Sequence, residues 1–309
     1  MTLAQATQTL HIRFGRPDTR VSHGPEGLTV DLNLPHLAGP AEEWLAVQGA
    51  AVEMPEPSQF LLRGPDGVAG VLVEPCSVTT LEDVTRRMYS RLLDSLGGHT
   101  LYRIWNYVPQ INHVEGGLEN YHRFNVGRWR AFQEHFGSDL QGKLPAASAV
   151  GMADSSLVTL FAAGRDPAIC LENPEQTPAW TYPERYGPKS PSFSRGTLRQ
   201  RAGGPQAFIS GTASIKGHET IGSDDLRLQC AVTCNNLRLI SERMGIPDPF
   251  GPDAPAWKAR VYLRHAADFP QVCAHLCEHG AERLAESATF LRCDICRPCL
   301  DVEIELTGV

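Results

Sequence analysis

Twice along this chain the same order of elements can be read, strand segments, a helix, a strand and a second helix, and this repeat limits the fold more than any single motif. In the first half, Phe60-Leu61-Leu62 and Val68 to Val73 flank Gly64-Pro65-Asp66-Gly67, a turn in which Pro presets φ and Gly accepts positive φ. A helix follows, opened by Thr80 with Asp83 three residues on, striped by Leu81, Val84, Met88, Leu92 and Leu96, and closed by Gly97-Gly98. Leu101 to Val108 (LYRIWNYV) reads as a strand and Leu118 to Phe136 as a second helix. In the second half, Ala207 to Ile215 is strand-like, and Asp224-Asp225 cap a helix striped by Leu226, Cys230, Cys234, Leu237, Ile240 and Met244. A Pro/Gly loop over 245–255 leads to the strand Ala259 to Leu263, a helix near Asp268 to Glu278, and strands at about Thr289 to Ile295 and Asp301 to Leu306. The order predicts an α+β fold of two similar halves, residues 1–145 and 146–309, divided near Lys143-Leu144-Pro145. The first 58 residues, rich in Pro and Gly, contribute one alternating stretch, Thr29 to Leu34, that reads as an edge strand.

Charge narrows the partners. With 28 Lys and Arg against 35 Asp and Glu, the net charge of −7 argues against nucleic acid, which needs a basic surface. Apolar residues make up 42% of the 309, enough for a substantial core. No apolar run of membrane-spanning length occurs, and Met1-Thr2-Leu3-Ala4-Gln5 lacks the character of a secretory signal, so neither membrane nor export is expected. Nine cysteines, an odd number, then read as reduced thiols in the cytoplasm.

Three clusters could carry chemistry. Cys273, His275, Cys277 and His279, followed by Cys293, Cys296 and Cys299, could ligate a soft cation, as a Cys-rich metal-binding module would. Spacing two on a helix turns successive side chains to different faces, however, and no fourth Cys followed by Pro comes after Cys299. Cys230 and Cys234 fall on their helix's core stripe. Asp301, Glu303 and Glu305 alternate with Val302, Ile304 and Leu306, so the carboxylates share one strand face. Periodicity alone favours a solvated face, whereas a carboxyl aimed into a partly apolar pocket would keep its proton and could donate it. Tyr182 to Arg195 (YPERYGPKSPSFSR) is either a proline-stiffened surface loop or a presenter of Arg and Tyr to an anion, to which Arg103, Arg123, Arg128 and Arg130 could add charge. No phosphate-cradling loop, dinucleotide fingerprint, zincin motif or nucleophile elbow occurs.

The segments RIWNYVPQIN (Arg103 to Asn112), NYHRFNVGRWRAF (Asn120 to Phe132), LENPEQTPAWTYPERYGPKSPSFSR (Leu171 to Arg195), ISGTASIKGHE (Ile209 to Glu219) and DICRPCLDVEIE (Asp294 to Glu305) resemble those of the chorismatases. The resemblance covers about residues 58 to 309 in order, and only loosely the residues before. It implies two fused RidA/YjgF-like, chorismate mutase-like α+β halves, each a sheet with helices on one face, the second half holding the active site. It implies chorismate as the small-molecule partner, no cofactor, no metal, and a monomer or small homo-oligomer. The family's catalytic acid, the first glutamate of VEIE, matches Glu303. Protonating the methylene carbon of chorismate's enolpyruvyl ether gives an oxocarbenium ion, from which pyruvate leaves.

Within the family, Gly in the SGTAS strand and Cys seven residues before the glutamate mark the members that yield 3-hydroxybenzoate; here they match Gly211 and Cys296. Cys296 would then assist rearrangement, as nucleophile and leaving group, or simply pack behind the site. The substrate-binding residues implied by match are Tyr186, Arg195, Gly211 and Thr212, with Tyr182, Arg185 and Arg128 as further contacts. Lys189 and Ser190 stand where the family's YGPxPPSFAR segment has Arg or Gln and Pro. The rivals are hydrolysis of chorismate to a dihydroxycyclohexadiene carboxylate, a RidA-like imine deaminase reading Arg292 with Glu303, and the metal module. A place in secondary-metabolite biosynthesis is what the resemblance suggests.

Overall fold

The aromatic and branched residues of Thr100–Pro109 alternate across a sheet covered on both faces, which is why the whole strand after Thr100 is buried. Ile104 and Val108 turn toward two helices, while Trp105 and Tyr107 turn the other way. A computed structural model describes residues 7–246 and 248–308; Met1 to Gln5, read above for a signal, and Pro247 of the Pro/Gly loop lie outside it.

The first large sheet has six strands, in the order Ala146–Met152, Thr100–Pro109, Ser156–Gly164, Gly67–Pro75, Gln59–Arg63 and Ala51–Glu56. The helices Leu81–Asp94 and Asn120–Phe136 cover one face, with Met88, Leu92, Phe124 and Phe132 in the shared core. The second helix starts two residues later than predicted, because Leu118–Glu119 pairs with Val114–Glu115. The strands Ala146–Met152 and Ser156–Gly164, on the far side of the expected division at 145/146, belong to this first sheet.

The second sheet has seven strands, Ala168–Leu171, Gly196–Arg199, Gln206–Ala213, Val302–Gly308, Trp257–Leu263, Thr289–Arg292 and His36–Ala38. Helix Leu226–Arg243 packs on it, capped as predicted by Asp225, whose Oδ1 accepts from the Leu228 N–H at 2.9 Å. Phe269–Glu278 and a short helix not foreseen, Glu282–Ser287, complete that layer. The architecture is thus α+β, as predicted, with helices on the outer face of each large sheet.

The opening residues are more ordered than their composition suggested. Gln8–Arg13, Arg20–Gly24, Gly27–Asp31 and Glu42–Val47 form a four-stranded sheet. Gly27–Asp31 is interior to it and not an edge, since Leu28 and Val30 pack with Leu10 and Ile12 against Val71 and Leu160. Among the described residues, no helix is long and apolar enough to cross a membrane.

A seam joins the two large sheets. Ala146 N–H donates to Thr197 Oγ1 at 2.8 Å, Ala147 N–H to Ser210 Oγ at 2.9 Å, and Gly211 N–H to Ser148 Oγ at 2.9 Å.

Candidate active site

Alternation sorts the side chains of the terminal strand Val302–Gly308 between two faces. Val302, Ile304 and Leu306 join the core beneath the helices, whereas Glu303 and Glu305 turn toward the first sheet and are 3% and 4% exposed. The solvated face that periodicity favoured is therefore covered. Asp301 precedes the strand and accepts from Gln229 Nε2 at 3.1 Å.

Glu303 borders a cavity of about 400 Å³. Its carboxyl lies against the Gly211 backbone so closely that a Cβ there would stand 2.0 Å from Glu303 Oε1. An irregularity in the ladder between Ile209 and Thr212 shapes this approach. Burial, and then the charge of Glu305, push the Glu303 carboxyl up to about 8, against the pull of Arg103 and Arg195. Glu303 so holds its proton at neutral pH while facing a cavity, the condition for a general acid.

Cations and rings make the other walls. Arg195, 5% exposed, gives Nη2 to the Tyr182 hydroxyl at 2.7 Å and the Thr177 carbonyl at 3.3 Å, and its Nε has no partner among the described residues. Glu172 accepts the Arg195 backbone N–H at 3.2 Å, and burial pushes that carboxyl up to about 7, so it neutralises the guanidinium only in part. Arg297 lies 4.3 Å over the Tyr186 ring and 5.6 Å from that of Tyr182, and donates Nη1 to Thr220 Oγ1 at 3.0 Å. Tyr121, Phe193 and Ile215 add apolar wall. A cavity with aromatic walls and two guanidiniums not spent on carboxylates suits a small dianion.

The family described as "Chorismatase FkbO/Hyg5-like, N-terminal" matches residues 66–163. A 3-hydroxybenzoate synthase of Streptomyces hygroscopicus is 35% identical over 238 residues, 72% of this chain and 68% of that protein. The chain belongs to the chorismatase family. A chorismatase of Streptomyces rapamycinicus is 38% identical over 225 residues, 69% of this chain and 65% of its own. The crystal structure of a chorismatase overlays 100% of this chain and 95% of that one, with a TM-score of 0.86 at 28% identity.

Of the residues expected to form a chorismatase site, Glu303, Cys296, Tyr182, Arg185, Tyr186, Arg195 and Gly211 all border the cavity. Two do not. Thr212 turns to the other strand face and gives its hydroxyl to the Ser210 carbonyl at 2.8 Å. Arg128 is 1% exposed behind the cavity wall, donating to Asn125 Oδ1 at 2.9 Å over the Phe124 ring. Arg185 stands at the exposed mouth, already committed to Glu219 and His218. Burial, and then the charge of Glu303, push the Cys296 thiol up to about 12, so the neutral thiol is the form that faces the acid. Lys189, one of the departures from the family pattern, lies 3.9 Å over the Trp129 ring and pins its loop to helix Asn120–Phe136.

Arg297, Tyr121 and Phe193 line the same cavity although the sequence reading does not single them out for it. Tyr121 reads as helix core, and Arg297 sits in a cysteine-rich stretch that draws attention to its thiols. Arg292, required by the imine deaminase reading, is exposed and 3.8 Å from Asp294, away from the cavity. Cys293 is buried between the sheets, and Cys299 gives its thiol to Thr220 Oγ1 at 3.5 Å. Among the described residues, no group of three or more His, Cys, Asp and Glu is arranged to hold a metal ion.

Proposed function

We propose that this chain converts chorismate to 3-hydroxybenzoate and pyruvate, with Glu303 as the proton donor. The observation that carries the reading is a carboxyl kept protonated in a dianion-sized cavity, with no hydrogen bond from a described side chain to draw its charge out. Glu303 gives its proton to the methylene carbon of the enolpyruvyl ether, and the oxocarbenium ion so formed makes pyruvate a good leaving group. The ring hydroxyl oxygen bonds to the neighbouring carbon as that carbon's ether bond to pyruvate breaks, its proton returns to Glu303, and the resulting arene oxide opens at the oxygen's original C–O bond while one ring proton passes from carbon to that oxygen, which leaves the phenol. Substrate and products balance atom for atom, so the conversion consumes no oxidant, reductant or net water.

Arg195 and Arg297 take the two carboxylates, bidentate donors each supported on aromatic rings. Gly211 leaves room for the acid. Cys296 supplies a small wall beside it, and as a neutral thiol it can give a proton during the rearrangement and take it back as the thiolate so formed. The name of one relative, a 3-hydroxybenzoate synthase, favours this product over the dihydroxy acid. We also read the chain as cytoplasmic and as a monomer or small homo-oligomer.

The test is Glu303→Gln, which keeps shape and removes the proton. Turnover of chorismate should fall by at least about three orders of magnitude while the variant still binds the substrate. Near-normal turnover would move the acid elsewhere.

A further inference from the structure

Behind Glu303 lies a buried charge cluster that lines no part of the cavity. The Glu305 carboxylate accepts from Arg103 Nη2 at 2.6 Å, from Trp105 Nε1 at 2.8 Å and from the Ser148 hydroxyl, with Arg260 Nη1 at 3.2 Å. Arg260 in turn forks onto Glu43, Nε to Oε1 at 2.9 Å and Nη2 to Oε2 at 2.8 Å. Arg103 and Arg260 are 0% and 3% exposed. Two guanidiniums meet two carboxylates, so the cluster is neutral without Glu303.

Glu303 is therefore a third carboxyl beside a pair of cations whose charge is already matched, although Arg103 Nε and Nη1 have no hydrogen-bond partner among the described residues. A buried carboxylate without a counterion is costly, and the cheaper state is the protonated one. Resting on the reading of Glu303 as proton donor, we infer that Glu305 and Glu43 are positioning residues that keep Glu303 protonated by occupying Arg103 and Arg260. Ser148 ties this to geometry, because its hydroxyl serves Glu305 and accepts the Gly211 N–H, fixing the backbone on which the Glu303 carboxyl rests.

The other groups around Glu303 do not take over that role. Tyr121 and Cys296 across the cavity, and Cys293 beneath, are held neutral by burial. Tyr262, its register partner, and Tyr107 flank Glu305 and are likewise neutral. Arg195 and Arg297 face the cavity, where the substrate's carboxylates would claim them.

The experiment is an infrared titration of the protonated carboxyl band on the full chain without substrate, assigned by its absence in Glu303→Gln. In Glu305→Gln the cluster gains one positive charge, and the band's midpoint should fall by about one pH unit or more. The alkaline limb of kcat/KM for pyruvate release should fall with it, while the rate below about pH 6 stays within a few-fold. Glu43→Gln, at the cluster's margin, should shift both the same way by less, and it carries the test should Glu305→Gln not fold. A midpoint unmoved or raised in a folded variant overturns the inference. If the wild type leaves chorismate untouched, the proposed function fails, and the infrared midpoint still decides the charge argument.

Discussion

At Glu303 two costs compete, that of an unpaired charge in a buried site and that of holding a proton above a carboxyl's ordinary range, and the first is larger. The consequence reaches stability. A carboxyl raised from 4.5 to about 8 on folding contributes stability that is fully present below pH 4.5 and is lost as pH rises through 8. Glu303→Gln cannot titrate, so it should gain on the wild type across that window, on the order of 5 kcal/mol by the alkaline end, with no gain at the acid end. Denaturant melts at a series of pH values check this; parallel curves would contradict it. Product choice is also set here. Gly211→Ala places a methyl where the acid now rests, and Cys296→Ala opens the wall beside it. Each should shift product toward the dihydroxy acid while pyruvate release continues, read by chromatography. Residue identity alone located Glu303 through its motif, but not its covering, because the Arg103 and Glu305 that meet at the seam stand 202 positions apart.

Elements were legible where a pattern was complete and illegible where burial or brevity removed it. Asp225 both reads and acts as a cap, so Asp225→Ala should cost about 1 kcal/mol in thermal or chemical unfolding. Thr80 reads as a cap and is not one: its hydroxyl accepts the Ser77 N–H at 2.9 Å, which starts the helix through a turn instead of a capping box. The strand Ala146–Met152 escaped notice since Ala, Ser, Gly and Met carry no alternation when both faces are buried. Glu282–Ser287 has too few residues to show a stripe.

Over the whole molecule, the repeat of elements gave the α+β class, while the place where the halves divide rests on pairings far apart in sequence. We propose that the division follows Gly164, since the strands up to that residue complete the first sheet. His36–Ala38 crosses to the second sheet, so the opening residues serve both. The candidate site lies along the seam, with the acid on the second sheet and the charges behind it shared between the two. Its aromatic and cationic walls come from loops whose composition revealed their chemistry but not their positions. The most direct measurement is to incubate the pure protein with chorismate and quantify products by chromatography with absorbance and mass detection. The account predicts pyruvate and 3-hydroxybenzoate in equal amounts, and neither from Glu303→Gln. A dihydroxycyclohexadiene carboxylate in place of the phenol, or chorismate left unconsumed by the wild type, would contradict it.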